Sequence, residues 1–176
     1  MTQVKSATKA GLRMRELYEV PRIVGLDVGE RRIGLAISDA TCTLARPVSV
    51  VRTTGLDGNA LAVAAAEISR LSADEDGLAS IVVGLPRRLD GTPNEMTPRI
   101  EKFAALLTAR TRLPVIFQDE RLTSREAESR LAMREKSWRV RRERLDAAAA
   151  AIILQEYLDN HPVLRPVVTG DDPNFP

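Results

Sequence analysis

The chain has 176 residues, 44% of them hydrophobic and 28% charged, with a net charge of only +2. That is the length of one ordinary domain and the balance of a globular protein with its own core. No run approaches the roughly 20 apolar residues that cross a bilayer, and Cys42, the only cysteine, excludes an internal disulfide.

Met1 to Val20, with scattered Lys5, Lys9, Arg13 and Arg15 and no continuous apolar segment, reads as a polar leader rather than a secretory signal. A cytoplasmic protein is therefore expected. Ile23-Val24-Gly25-Leu26-Asp27-Val28 is a buried strand, apolar except for one carboxylate. Gly29 to Arg32 supplies a turn, and Ile33 to Ser38 returns as a second strand, so the pair forms a hairpin. A third strand runs from Pro47 to Arg52, near which Cys42 reads as a small buried side chain. Gly55, Asp57 and Gly58 break the chain before an alanine-rich helix over Asn59 to Leu71.

Ser80-Ile81-Val82-Val83-Gly84 is short and apolar throughout, as a strand covered on both faces must be. A loop with Pro86, Arg87, Arg88, Asp90, Gly91 and Pro93 leads to a helix over Glu95 to Arg110, with Pro98 tolerable only in its first turn. The fifth strand is Pro114 to Phe117, ending at Gln118-Asp119-Glu120. Thr123-Ser124-Arg125-Glu126 matches a capping box, so a helix is expected from there to Arg134. Lys136 to Arg142 lacks a period and reads as a mobile loop. The last helix, Glu143 to Leu158, carries Asp146 in its first turn. Residues 161–176 form a proline-rich tail, leaving one domain over 21–160. The sum is an α/β fold, one five-stranded mixed sheet with a hairpin start and helices on both faces.

Asp27 is the most informative residue. An ionised carboxylate inside an apolar strand costs several kcal/mol unless a partner or a metal compensates. Hydrogen bonds from a nearby turn are the plainer alternative. Glu120 stands at the carboxyl end of a strand, where open α/β sheets bind ligands, although pairing with Arg121 would also explain it. Asp146 is favoured by the helix macrodipole in any case. Its downstream neighbours are less ordinary: Ala147 to Ala151 are five consecutive small side chains, which let a helix approach a sheet closely and bring its carboxylate up to the strand's.

Three converging acids repel one another unless cations sit between them. An all-oxygen site selects hard ions such as Mg²⁺ or Mn²⁺. His161 is the only histidine and lies in the tail, so a zinc site or a Ser–His or Cys–His machine lacks raw material. Two ions roughly 4 Å apart would activate a water on one side of a phosphodiester and stabilise the leaving oxygen on the other. Asp27 would bridge them, with Glu120 and Asp146 each completing one coordination sphere.

Charge supports the same chemistry. From Arg121 to Arg144 there are nine Lys or Arg against four Glu, a local excess that attracts polyanions, unless the interleaved glutamates make it only a solvated helix face. Arg31, Arg32, Arg121 and Arg125 lie closest in sequence to the acids and are candidate phosphate contacts, joined by Arg87 and Arg88 and by Arg141 and Arg142. Aromatics are only 3%, so stacking of single-stranded bases has few platforms and backbone contact is the expected mode.

Four blocks resemble the YqgF/RuvX family of RNase H-like proteins. They are Gly25-Leu26-Asp27-Val28-Gly29-Glu30-Arg31-Arg32-Ile33-Gly34-Leu35-Ala36-Ile37-Ser38-Asp39, Val83-Gly84-Leu85-Pro86 with Asp90-Gly91-Thr92, Asp119-Glu120-Arg121-Leu122-Thr123-Ser124, and Asp146-Ala147-Ala148-Ala149-Ala150-Ala151-Ile152-Ile153-Leu154. The resemblance covers most of Ile23 to Leu158. It implies an RNase H-like core, a nuclease maturing the 5′ end of small-subunit ribosomal RNA or resolving Holliday junctions, and an acidic site at Asp27, Glu120 and Asp146. Arg87 and Arg88 depart from the more neutral loop expected of the family and could strengthen phosphate contact. Two other classes stay open. Asp27-Val28-Gly29 with Gly34 also resembles a phosphate loop of actin-like ATPases, which need two such domains. A catalytically silent RNA-binding assembly factor would bind without metal. Monomer and symmetric homodimer are both compatible with the sequence.

Overall fold

The structure is a computed structural model and describes residues 21–74, 77–119 and 138–162, with side chains of the last segment from residue 147 onward. Five strands, β1 (Arg22–Val28), β2 (Arg32–Ser38), β3 (Ala45–Arg52), β4 (Leu78–Leu85) and β5 (Val115–Asp119), form one sheet in the order β3-β2-β1-β4-β5. β1, β2 and β3 make an antiparallel meander, while β4 and β5 run parallel to β1. This is the mixed α/β sheet with a hairpin start that the sequence leads one to expect.

Helices α1 (Gly58–Asp74) and α2 (Thr97–Thr111) cover one face, and α3 (Trp138–Asn160) covers the other. The alternation of each strand divides its side chains between two cores. Leu26, Leu35, Ile81 and Val83 pack under α1 and α2 with Ile68, Ile100 and Leu107. Ile23, Ala36, Val82 and Ile116 pack under α3 with Ala150, Ile153 and Leu154. β4 lies between β1 and β5 with Ser80 to Leu85 all buried, which is why it carries no polar alternation.

The helix ends obey local chemistry. Asp57 caps α1, its carboxylate accepting the Ala60 amide at 2.9 Å. Pro98 does sit in the first turn of α2, where no amide donor is missed. Two expectations need correction. Residues 138–142, expected within a loop, are the opening of α3. An apolar period reports which face is buried, not whether a helix forms, and Arg and Glu at i,i+4 spacing, as in Arg139 and Glu143, favour a helix without it. Asp146 consequently lies in the third turn of α3, not its first, so the macrodipole does not account for it. The helix expected from Thr123 to Arg134 lies outside the described residues.

Candidate functional site

Asp27 is the penultimate residue of β1, part-buried between fully buried Leu26 and nearly buried Val28. Leu26 faces α1 and α2, so alternation turns Asp27 to the α3 face. Its cross-strand partner on β2 is Gly34. On the other side Leu26 pairs with Val83, which makes Gly84 the next neighbour on β4, and Gly84 pairs with Gln118. The carboxylate is thus flanked by two residues without side chains. Neither neighbour in that row adds a side chain beside Asp27.

The same row lies at the carboxyl edge of the three parallel strands, where β1, β4 and β5 end at Val28, Leu85 and Asp119. A cleft of about 440 Å³ opens there, lined by Asp27, the Gly29 to Arg32 turn, Pro86, Met96 and Ile100. Glu30 in the turn forms an ion pair with Arg99 in the first turn of α2, tying the two walls together.

α3 comes very close to the sheet beside this edge. A Cβ built on Gly25 would stand 2.7 Å from the Leu154 Cβ and 2.9 Å from the Ala150 carbonyl oxygen. The run of alanines does allow close packing, with Ala147, Ala148 and Ala150 buried. The direction of α3 is fixed by Gln155, which accepts the Ala45 amide at 2.8 Å and donates to the Thr43 carbonyl at 3.0 Å. Both partners lie at the opposite edge of the sheet, where Ser38 pairs with Ala45. Earlier residues of α3 therefore lie toward the edge that carries Asp27, and Asp146 is one turn before Ala150 in that direction.

Of the other expected site residues, Glu120, Arg121 and Arg125 lie outside the described residues. Gln118, two positions before Glu120, is buried on the face of Asp27. Arg141 and Arg142 belong to α3. Arg31 is exposed and Arg32 part-buried at the start of β2, and Arg87 and Arg88 are exposed on the loop after β4. Arg52 escapes a reading of the sequence. It is the register partner of Arg32, and the alternation from Gly34 puts both on the face of Asp27. The β2–β3 hairpin held the signal, but it needed the register.

Asp39 shows what a structural carboxylate looks like in this fold. Burial works against its charge, but the Thr41 hydroxyl, the Thr43 and Leu44 amides and the Thr43 hydroxyl outweigh it and hold the group at about 2. It closes the β2–β3 turn at the sheet edge remote from the cleft.

A family model described as "RuvX: Holliday junction resolvase" matches residues 21–160. The chain belongs to the RuvX family. Among its relatives is a protein of Burkholderia ambifaria named "Putative pre-16S rRNA nuclease", 42% identical over 142 residues that cover 78% of this chain and 88% of the relative. A protein of the same name in Anaeromyxobacter sp. is 44% identical over 138 residues, covering 78% of this chain and 96% of the relative. A solved structure, T. thermophilus RuvC in complex with Holliday junction substrate, aligns at 15% identity over 80% of this chain and 95% of that one, with a TM-score of 0.49. The site occupies the part of the chain matched as RuvX, and among the described residues no helix is long and apolar enough to cross a membrane.

Proposed function

We propose that the chain is a cytoplasmic metal-dependent nuclease that hydrolyses phosphodiesters in structured nucleic acid, with the 5′ end of pre-16S rRNA as its substrate. The observation that carries this is Asp27: a part-buried carboxylate on a glycine-flanked row, at the carboxyl edge of the parallel strands, beneath a closely packed helix. The names of the relatives support the substrate.

Asp27, Glu120 and Asp146 would hold Mg²⁺ or Mn²⁺. The donor set fits, since it offers only carboxylate oxygens, which suit hard cations, and the register neighbours of Asp27, Gly34 and Gly84, add no side chain beside it. Bound there, the metal supplies Lewis-acid polarisation of the phosphate and a more acidic water. The chain's own part is positional. Asp27 sits on a strand between buried neighbours, a rigid support that would limit the reorganisation needed on binding. Arg31, Arg32, Arg52, Arg87 and Arg88 lie at the same edge and would bind the nucleic-acid backbone, and Arg121, Arg125, Arg141 and Arg142 remain candidates from the sequence alone. Their contacts orient the scissile phosphate and fall with salt.

The test compares wild type with Asp27→Asn on a pre-16S rRNA fragment and on a four-way DNA junction, with and without Mg²⁺ or Mn²⁺. Metal-dependent cleavage of the RNA by wild type, lost in the variant while binding persists, is the expected result. Cleavage of the junction alone would make the chain a resolvase. Binding without cleavage by wild type would make it an assembly factor, and equal cleavage by both proteins would remove Asp27 from the chemistry.

A further inference from the structure

The loop after β4 presents the most exposed large apolar side chain among the described residues: Leu89 is 96% exposed. Lone leucines on a surface are ordinary, but this one stands on a stiff support. The Gly91 amide donates to the Arg88 carbonyl at 2.8 Å and the Arg88 amide to the Thr92 carbonyl at 2.9 Å. Gly91 takes the left-handed conformation, φ 88°, that such a tight hairpin requires. Asp90 locks the returning limb, its carboxylate accepting the Thr92 amide at 2.9 Å and hydroxyl at 2.7 Å. At the base, buried Thr97 donates its hydroxyl to the Pro86 carbonyl at 2.6 Å and accepts the Asn94 amide at 2.9 Å. Leu89 is the first central residue of this turn, held out at its tip.

Its surroundings are cationic and adjoin the cleft. Arg87 and Arg88 precede it directly and are exposed, and Pro86 at the root lines the cleft beside Asp27. Arg87 donates to the Gly91 carbonyl at 3.3 Å and has no carboxylate partner among the described residues. An apolar tip flanked by cations fits a ligand with a stacked apolar interior and an anionic rim better than an apolar protein groove that would desolvate the arginines.

We propose that Leu89 is a wedge that inserts into a stacked base step at a helix junction while Arg87 and Arg88 hold the flanking phosphates. The inference rests on the nucleic-acid reading of the site. It makes Leu89 a specificity-determining residue, favouring junctions and helix ends, where stacking is easiest to open, over continuous duplex. Because the loop is already ordered, insertion costs little further ordering of the protein.

The test uses the full chain in EDTA, so that no strand is cut. The probes are a four-way DNA junction and an RNA hairpin with a 5′ single-stranded extension, each with 2-aminopurine at the helix end. Wild type is expected to raise the 2-aminopurine fluorescence several-fold on at least one probe. Leu89→Ala should abolish most of that rise while weakening binding by no more than about tenfold, because the arginines remain. Leu89→Met should keep the rise. Unchanged melting of both variants by circular dichroism confirms that only the tip has altered. Wild type binding without a fluorescence change, or Leu89→Ala with the full rise, overturns the wedge and leaves the nuclease reading intact. Wild type that binds neither probe removes the nucleic-acid reading itself.

Discussion

Gly25 of β1 and Leu154 of α3 meet so closely that a Cβ on the glycine would lie 2.7 Å from that of Leu154, with the Ala150 carbonyl oxygen at 2.9 Å. Neither obstacle is the far end of a flexible side chain, so a substitution must move the helix. Overpacking of this kind costs about 1–3 kcal/mol, and the backbone contact puts Gly25→Ala at the upper end. For a chain of this size each kcal/mol lowers the melting midpoint by roughly 2–4 °C. A drop of about 6–12 °C is expected in thermal melts, with cleavage reduced further because α3 also carries Asp146. A variant melting like wild type would mean that the helix does not need the glycine.

Metal should stabilise the folded protein through the same carboxylates. A ligand that binds only the folded state at 100 times its Kd contributes about 2.7 kcal/mol. Mn²⁺ added to EDTA-treated wild type is expected to raise the melting midpoint by several degrees. Asp27→Asn should show no such rise. Equal rises in the two proteins would place the cation elsewhere.

Sequence is most informative where a single residue violates its local pattern. Asp27 was legible because a carboxylate in the run Ile23 to Val28 has to be explained, and the alanines after Asp146 because a bare helix face invites close packing. The strands and their buried faces come from apolar runs and alternation. The features that could not be read depend on register between distant segments. The glycine flanks of Asp27 come from β2 and β4, and Arg52 joins Arg32 only through the β2–β3 pairing. The start of α3 was obscured because its opening residues, rich in arginine, carry no apolar period to read.

Asp39 gives a pH-dependent contribution to stability. Its folded pKa of about 2 lies below the ordinary value of 3.8. A depressed carboxylate stabilises the fold fully above its unfolded value, and the contribution disappears as pH falls through the folded value. Asp39→Ala should therefore be less stable than wild type at neutral pH, by about 1–2 kcal/mol for the lost charge-assisted hydrogen bonds. The gap should narrow as pH falls from 3.8 to about 2. Urea unfolding across this range checks it, and a gap independent of pH would assign the loss to packing instead.

Thr97 anchors the loop between β4 and α2. It is 1% exposed, and its hydroxyl bridges the Pro86 carbonyl and the Asn94 amide. Thr97→Val keeps the shape and strands both backbone groups, at a cost of about 1–3 kcal/mol. Because the loop borders the cleft, a larger effect on KM than on kcat is expected from its loosened arginines. Steady-state cleavage at several substrate concentrations separates the two, and a pure kcat loss would show that the loop positions the reacting groups rather than the backbone.

Arg31 and Arg52 approach the Asp27 edge from different elements, one exposed in the β1–β2 turn and one at the end of β3. If each holds a phosphate, each releases a counterion on binding, and its removal lowers the slope of log Kd against log salt by about 0.7–0.9. Arg31→Ala and Arg52→Ala should each weaken binding at low salt, converge on wild type as salt rises, and act additively in the double variant because they touch separate phosphates. Arg70 on α1, paired with Glu67 and Asp74 far from the cleft, provides the control and should leave the slope unchanged when replaced. A slope unaltered by Arg52→Ala would remove β3 from the interface and restrict the phosphate track to the turn and the loop after β4.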